Sequence, residues 1–220
     1  MNYLQLVNAV LRRLRESEVT TVQGSGNNNS YARLIGDYIN EAKQTVENAW
    51  QWMSLKQTVN VNTVAGTTEY TLFNAGHRFQ LNYAYNDTSD IVLREVPIEW
   101  WMEQNSLSSP PTGSVEVFSF SGLDSVTDNV KIQVYPVPSG VEALKFYGTV
   151  RTGNLSADTD TMLVPDRPVI LLATAMAQEE RGEDSGQQSV NSYRLAQSAL
   201  ADDISLDAAR QPEKTMWYET

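Results

Sequence analysis

The side chains able to do acid–base or nucleophilic chemistry are few and scattered. The chain has one histidine, His77, and no cysteine. Disulfides, thiolate metal sites and cysteine nucleophiles are therefore excluded, and a Ser-His-Asp triad has only His77 to draw on. His77 lies in Asn74-Ala-Gly-His-Arg-Phe79, in a turn before a strand. A histidine base needs a positioned nucleophile and an orienting partner. The sequence marks neither, and it has no Gly-x-Ser-x-Gly elbow, so a loop histidine is expected. Paired carboxylates occur at Glu179-Glu180, Glu183-Asp184 and Asp202-Asp203. Glycoside hydrolysis needs two carboxyls flanking a sugar ring in a cleft. These pairs instead fall away from the apolar stripes of helices and read as solvated faces. Asp124, Asp128 and Asp158-Thr-Asp160 resemble calcium ligands but lack the EF-hand glycine and glutamate spacing. Gly24-Ser-Gly26 runs into asparagine rather than Lys-Ser/Thr, so it is no phosphate loop. No cofactor or metal is implied, and a non-enzymatic role is expected.

Composition narrows the class further. The 220 residues are 41% hydrophobic and 20% charged, enough for one or two domains with real cores. The net charge is −11. That weighs against a grip on nucleic acid, which rests on Lys and Arg neutralising phosphates. Arg12, Arg13 and Arg15 are the nearest thing to a basic patch. Charge is uneven: residues 1–56 carry a net +1, residues 57–155 a net −5 and residues 156–220 a net −7. Such asymmetry favours contacts between unlike surfaces. No apolar run approaches the roughly 20 residues that span a bilayer. The opening stretch puts its arginines after its apolar residues, the reverse of a signal peptide. A soluble protein made in the cytoplasm, with no membrane partner, is expected.

The elements that must position these residues follow from periodicity. Leu4, Val7, Leu11 and Leu14 share one helix face. After the polar Gly24–Asn29 break, with Asn29 or Ser30 as cap, Tyr31, Leu34, Ile35, Tyr38, Ala42, Val46, Ala49 and Met53 keep the helical period. From about Leu55 the pattern turns to alternation. Thr58–Thr63 puts Val59 and Val61 on one side of a strand. Glu69–Leu72, Phe79–Tyr85, Ile91–Leu93, Val115–Phe120, Val130–Tyr135 and Glu142–Thr149 continue as short strands of an antiparallel sheet. A short helix, Ile98–Gln104, starts at Pro97. Helix returns at Pro165-Asp-Arg-Pro168, with Asp166 as cap and Val169, Leu172, Met176 and Ala177 facing inward. Val190, Tyr193, Ala196, Leu200 and Ile204 mark a last helix, closed by Pro212. The expected class is α+β: a four-helix bundle from N- and C-terminal helix pairs, with an inserted antiparallel β region. The expected parts are an N-terminal helical pair at 1–56 and a β insert at 57–160 with its short helix. A C-terminal pair at 161–211 completes the bundle, and an extended arm runs over 212–220.

The aromatic residues are harder to assign to folding alone. Trp50 and Trp52 lie two apart and Trp100 and Trp101 are adjacent, so neither pair shares one inner face. They either span the boundary between helices and β insert, or put one ring of each pair against a neighbouring subunit, where aromatics are enriched. All four are candidate subunit-interface residues. Met216-Trp217-Tyr218 makes the end of the chain apolar, although termini are usually polar. It either docks on its own helices or inserts into a groove of another protein.

Three segments carry a family resemblance: Tyr3–Glu16, then Ile35–Lys43 running into Val46–Trp52, and Ala65–Leu72 at the start of the β region. In these the chain resembles the head–tail adaptor (connector) proteins of tailed bacteriophages, including the tail tubular protein A type. The resemblance implies a homo-oligomeric ring, typically a dodecamer, docked beneath the portal protein and above a downstream tail protein of nozzle or tail-tube kind. DNA would pass through the lumen without specific binding. The arm would reach the portal through Met216, Trp217 and Tyr218, and the protein would reside in the virion at the head–tail junction. The competing classes are a carboxylate-based glycan hydrolase and a carbohydrate- or receptor-binding module.

Overall fold

The computed structural model describes residues 1–24, 27–76, 78–182 and 187–211, with Asn27 and Asn28 described by backbone only. The class is α+β. Among the described residues the α-helices are α1 (Tyr3–Arg13), α2 (Asn27–Ala49), α3 (Ile98–Asn105), α4 (Asp166–Arg181) and α5 (Gln187–Ala208). The strands are β1 (Lys56–Asn62), β2 (Glu69–Gly76), β3 (Gln80–Asn86), β4 (Ile91–Val92), β5 (Arg94–Glu95), β6 (Thr112–Gly113), β7 (Val117–Leu123), β8 (Asn129–Tyr135), β9 (Val137–Pro138) and β10 (Ala143–Thr149). The chain forms two compact units, Met1–Leu55 with the chain from Thr152 onward, and Lys56–Arg151.

In the helical unit, α1 opens on a capping box. Asn2 accepts from the Gln5 N–H at 2.9 Å while Gln5 accepts from the Asn2 N–H at 3.0 Å. Its buried face is Tyr3, Leu6, Val7, Val10 and Leu11, and Leu4 and Leu14 are only half-buried. The inner face is wider than the predicted stripe because α1 meets both α2 and α4. Gly36 lets Tyr3 sit against α2: a Cβ there would fall on the Tyr3 hydroxyl. Helix α2 begins at Asn27, so Asn29 and Ser30 lie within its first turn rather than capping it.

Helix α4 is buried almost all round, through Val169, Ile170, Leu171, Ala173, Ala175 and Ala177, because α1, α2 and α5 all pack on it. Its cap is Pro165, and Asp166, expected as the cap, is its first residue. Gly182 ends it in the left-handed region at φ 64°. Helix α5 presses Ser189, Ala196 and Ala199 inward, and Ala196 and Ala199 meet Leu171. Val190, expected on the inner stripe, is 44% exposed. Small side chains allow a close approach to α4 and shift the seam away from the branched residues. The four helices therefore contribute unequally. The main core is built on α1, α2 and α4, with Leu200 and Ile204 of α5 leaning on it.

The segment after the last strand belongs with the helices, not with the β insert as expected. Asn40 donates to Leu155 O at 3.1 Å and accepts from Leu155 N at 2.8 Å. Lys43 Nζ donates to Thr152 O (3.0 Å) and Gly153 O (2.9 Å) and pairs with Glu47 at 3.0 Å. Thr152 Oγ1 donates to Glu47 at 2.8 Å. Both charged side chains are fully buried. This polar stripe on α2 satisfies backbone groups that would otherwise be stranded in the core.

In the β unit, one sheet has the order β1-β10-β3-β4 and the other β2-β8-β7-β5. Val59, Val61, Leu144 and Phe146 of the first face Leu72, Phe118, Ile132 and Val134 of the second in one core. Phe118 and Phe146 meet edge to face at 5.4 Å. The long pairings are antiparallel, but β5–β7 and β6–β9 are parallel. The first is possible because the chain from Val96 to Glu116, including α3, supplies the long crossover a parallel pair requires. Gly148 lies at a register shift between β10 and β3, where a Cβ would come within 2.5 Å of Gln80 O.

Candidate interaction surfaces

Asp124, Asp158, Asp160 and Glu179, among the acidic residues singled out by spacing, are committed to local structure. Asp124 Oδ1 accepts from Thr127 N (2.8 Å), Thr127 Oγ1 (2.9 Å) and Val126 N (3.0 Å), closing the β7–β8 turn. Those bonds, the Thr127 N–H first, hold its carboxyl below the ordinary aspartate value. Asp160 Oδ2 takes the N–H groups of Ser156 and Ala157 at 2.8 Å each, with the same consequence. Asp158 Oδ1 accepts from Val22 N at 3.0 Å. Glu179 accepts from the Tyr193 hydroxyl at 2.9 Å. Burial, then that bond, pushes the Tyr193 phenol up to about 12. Glu180 and Asp202 are exposed. Among the described residues no group of three His, Cys, Asp or Glu side chains could hold a metal. His77, Ser25, Gly26, Glu183 and Asp184 lie outside the described residues.

One acid went unnoticed in the spacing. Glu142 Oε2 accepts from Asn86 Nδ2 (2.6 Å) and Val115 N (3.0 Å). Asn86 also donates to Val115 O at 3.1 Å. Three strand ends are tied together in this way. The tie spans residues 86 to 142, so no local pattern announces it.

The tryptophans divide one in, one out. Trp52 is fully buried and donates to Val46 O at 2.7 Å. Trp101 is buried and donates to Val134 O at 2.9 Å. Trp50 is half-buried and donates to Asp207 Oδ2 at 2.9 Å. Trp100 is 36% exposed and stands edge-on to Tyr135 at 5.4 Å. Met216, Trp217 and Tyr218 lie outside the described residues.

Concavities are present in both units. One of about 530 Å³ lies in the helical unit where the Met53 turn, the start of α4 and the end of α5 converge. Its apolar lining includes Met53, Leu163 and Leu206, exposed by 42, 44 and 60%. Asp166, Asp203 and Asp207 also line it, with Arg210. Burial raises the Asp203 carboxyl against the pull of Arg167. Asp203 Oδ2 is buried with no hydrogen-bond partner among the described residues. The second concavity, of about 440 Å³, lies in the β unit between Arg94, Glu95, Glu116, Trp100 and Tyr135. The third, of about 210 Å³, is polar and formed by Arg13, Leu14, Arg15, Gln178, Arg181 and Gln188. Here Arg181 bonds Glu16 at 2.6 Å and Tyr31 at 2.9 Å, and lies 4.9 Å from the Tyr31 ring centre. The lining of each comes from segments far apart in sequence, which is why residue spacing gave no sign of them.

No described helix is long and apolar enough to cross a membrane. The model of the family described as SU10 adaptor protein matches residues 1–216. No curated protein matches the chain.

Proposed function

The chain belongs to the SU10 adaptor protein family, and on that premise we propose that it is a non-enzymatic head–tail adaptor of a tailed phage. It assembles as a ring, of about twelve copies as the resemblance suggests, between the portal and the next tail component, and it continues the DNA channel. Its place is the head–tail junction of the virion, after synthesis in the host cytoplasm. The observation that carries this reading is the family match over nearly the whole chain. The fold supports it, because both ends of the chain build one helical unit and leave the β unit as a single insertion.

The mechanism is geometric. The four long helices act together as a bundle that forms the wall of the ring. Trp50 and Trp100, which keep an exposed edge, contact the neighbouring subunit, and Trp52 and Trp101 brace them from within. Met216, Trp217 and Tyr218 anchor the chain in a portal groove, where rigid aromatic side chains give large contact area at small entropic cost. DNA meets a net-negative protein and is passed rather than held.

The arm is tested by co-sedimentation with the purified portal of the same phage. The full chain is expected to pellet with the portal. The chain lacking residues 212–220 is expected to remain in the supernatant with an unchanged circular dichroism spectrum. Equal pelleting of both would remove the arm from the account.

A further inference from the structure

The helical unit is bipolar. The polar concavity takes Gln178 and Arg181 from the end of α4 and Gln188 from the start of α5. The large groove takes Asp166 from the start of α4 and Asp203, Leu206 and Asp207 from the end of α5. The two hollows therefore cap opposite ends of one antiparallel helix pair, and a helix of the length of α4 runs roughly 24 Å. Their charges are opposite. At the first end Arg12 is matched by Glu18 and Arg181 by Glu16. Arg13 and Arg15 are exposed and have no ion-pair partner among the described residues. At the other end Asp166 is paired with the Met1 amine at 3.0 Å and Asp207 accepts from Trp50 and Gln211, which leaves Asp203, with a buried oxygen that has no hydrogen-bond donor among the described residues, and Asp207 against Arg210 beside the apolar Met53, Leu163 and Leu206.

We propose that the Arg13–Arg15 end of one copy docks into the Met53–Leu163–Leu206 groove of the next, where Asp203 of the lining and the exposed Asp202 next to it on α5 receive the guanidinium groups. The proposal rests on the ring reading and names its subunit contact. Arginine suits such a site. Its methylene stem covers apolar surface while its planar head takes carboxylates in pairs. Two unlike patches at opposite ends of one body give a head-to-tail contact, the kind that closes into rings rather than two-fold dimers. The contact also places the basic surplus of the chain's start against its acidic last third, lowering repulsion between copies of net charge −11.

The chain has no cysteine, so introduced thiols report contacts without background. Full-length Ser17→Cys and Ala209→Cys chains, exposed positions beside the two ends, are mixed at high micromolar concentration and treated with a short bismaleimide. The expected product is the mixed dimer, about fivefold or more above either same-site dimer. The chain carrying both thiols is expected to give a ladder. Dominant same-site dimers, or no cross-linked product, would overturn the proposal. Adding Arg13→Glu and Arg15→Glu to the first chain is expected to cut the product about tenfold. Asp202→Arg with Asp203→Arg on the second chain is expected to restore it. Lack of rescue counts against the contact. Deleting 212–220 is expected to leave the cross-link unchanged. Its loss would mean that the groove holds the arm instead, which also overturns the proposal. No portal is present, so failure of portal docking and failure of this contact are read separately.

Discussion

Lys43 and Glu47 form an ion pair at 3.0 Å with both side chains fully buried. A buried pair is costly to form and costlier to break, because removing one partner leaves an uncompensated charge. Glu47→Ala is expected to lower stability by about 3–5 kcal/mol in urea titration. The double variant Lys43→Met/Glu47→Leu is expected to recover most of that loss. Neither residue stood out in the sequence, where the i,i+4 spacing reads as a surface pair. Their other partners, Thr152 and Gly153, lie more than a hundred positions away. Asp160 acts at the same scale. Its folded carboxyl lies below the ordinary aspartate value of 3.8 because the N–H groups of Ser156 and Ala157 bond its charged form. The stability it adds is complete above that ordinary value and disappears as pH falls toward the lower folded value. Asp160→Asn is therefore expected to show a smaller loss of Tm between pH 7 and pH 3 than the natural chain. An equal loss would show that Asp160 does not contribute.

Among elements, what could be read in advance depended on whether the packing partner was implied locally. The alternation of Val59 and Val61 announced β1, and both side chains are buried as expected. The stripe chosen for α5 failed at Val190, because the seam with α4 is made of Ser189, Ala196 and Ala199, and periodicity weighted by size passes over small residues. The parallel pairs β5–β7 and β6–β9 were also invisible, since two-residue strands leave no pattern. Two predictions belong here. Trp52→Ala should cost about 3–5 kcal/mol, as removal of a buried aromatic does. Trp50→Phe, which loses only the bond to Asp207, should cost about 0.5–1.5 kcal/mol. Both are read by denaturant unfolding. Similar costs would contradict the assigned burial. Gly148→Ala should destabilise by about 1–3 kcal/mol, because neither Gln80 O nor the Phe79 ring can yield easily. An unchanged Tm would reject that assignment.

For the whole molecule, composition excluded chemistry more than it identified function. One histidine, no cysteine and a net charge of −11 are what a passive assembly part would show, but they name no partner. The family came from the three segments in the first third of the chain, and the match extends over residues 1–216. The concavities could not be foreseen, because each is assembled from turns and helix ends that meet only in the fold. A ring of about twelve copies would carry a charge of roughly −130. Apolar burial and unlike patches must outweigh that repulsion. Electron microscopy of the purified protein mixed with its phage's portal tests whether these copies form a ring on the portal. The expected image is a closed ring of this protein, coaxial with the portal and with an open lumen. Portal particles that stay bare at micromolar protein, or that carry isolated copies with no ring, would contradict it.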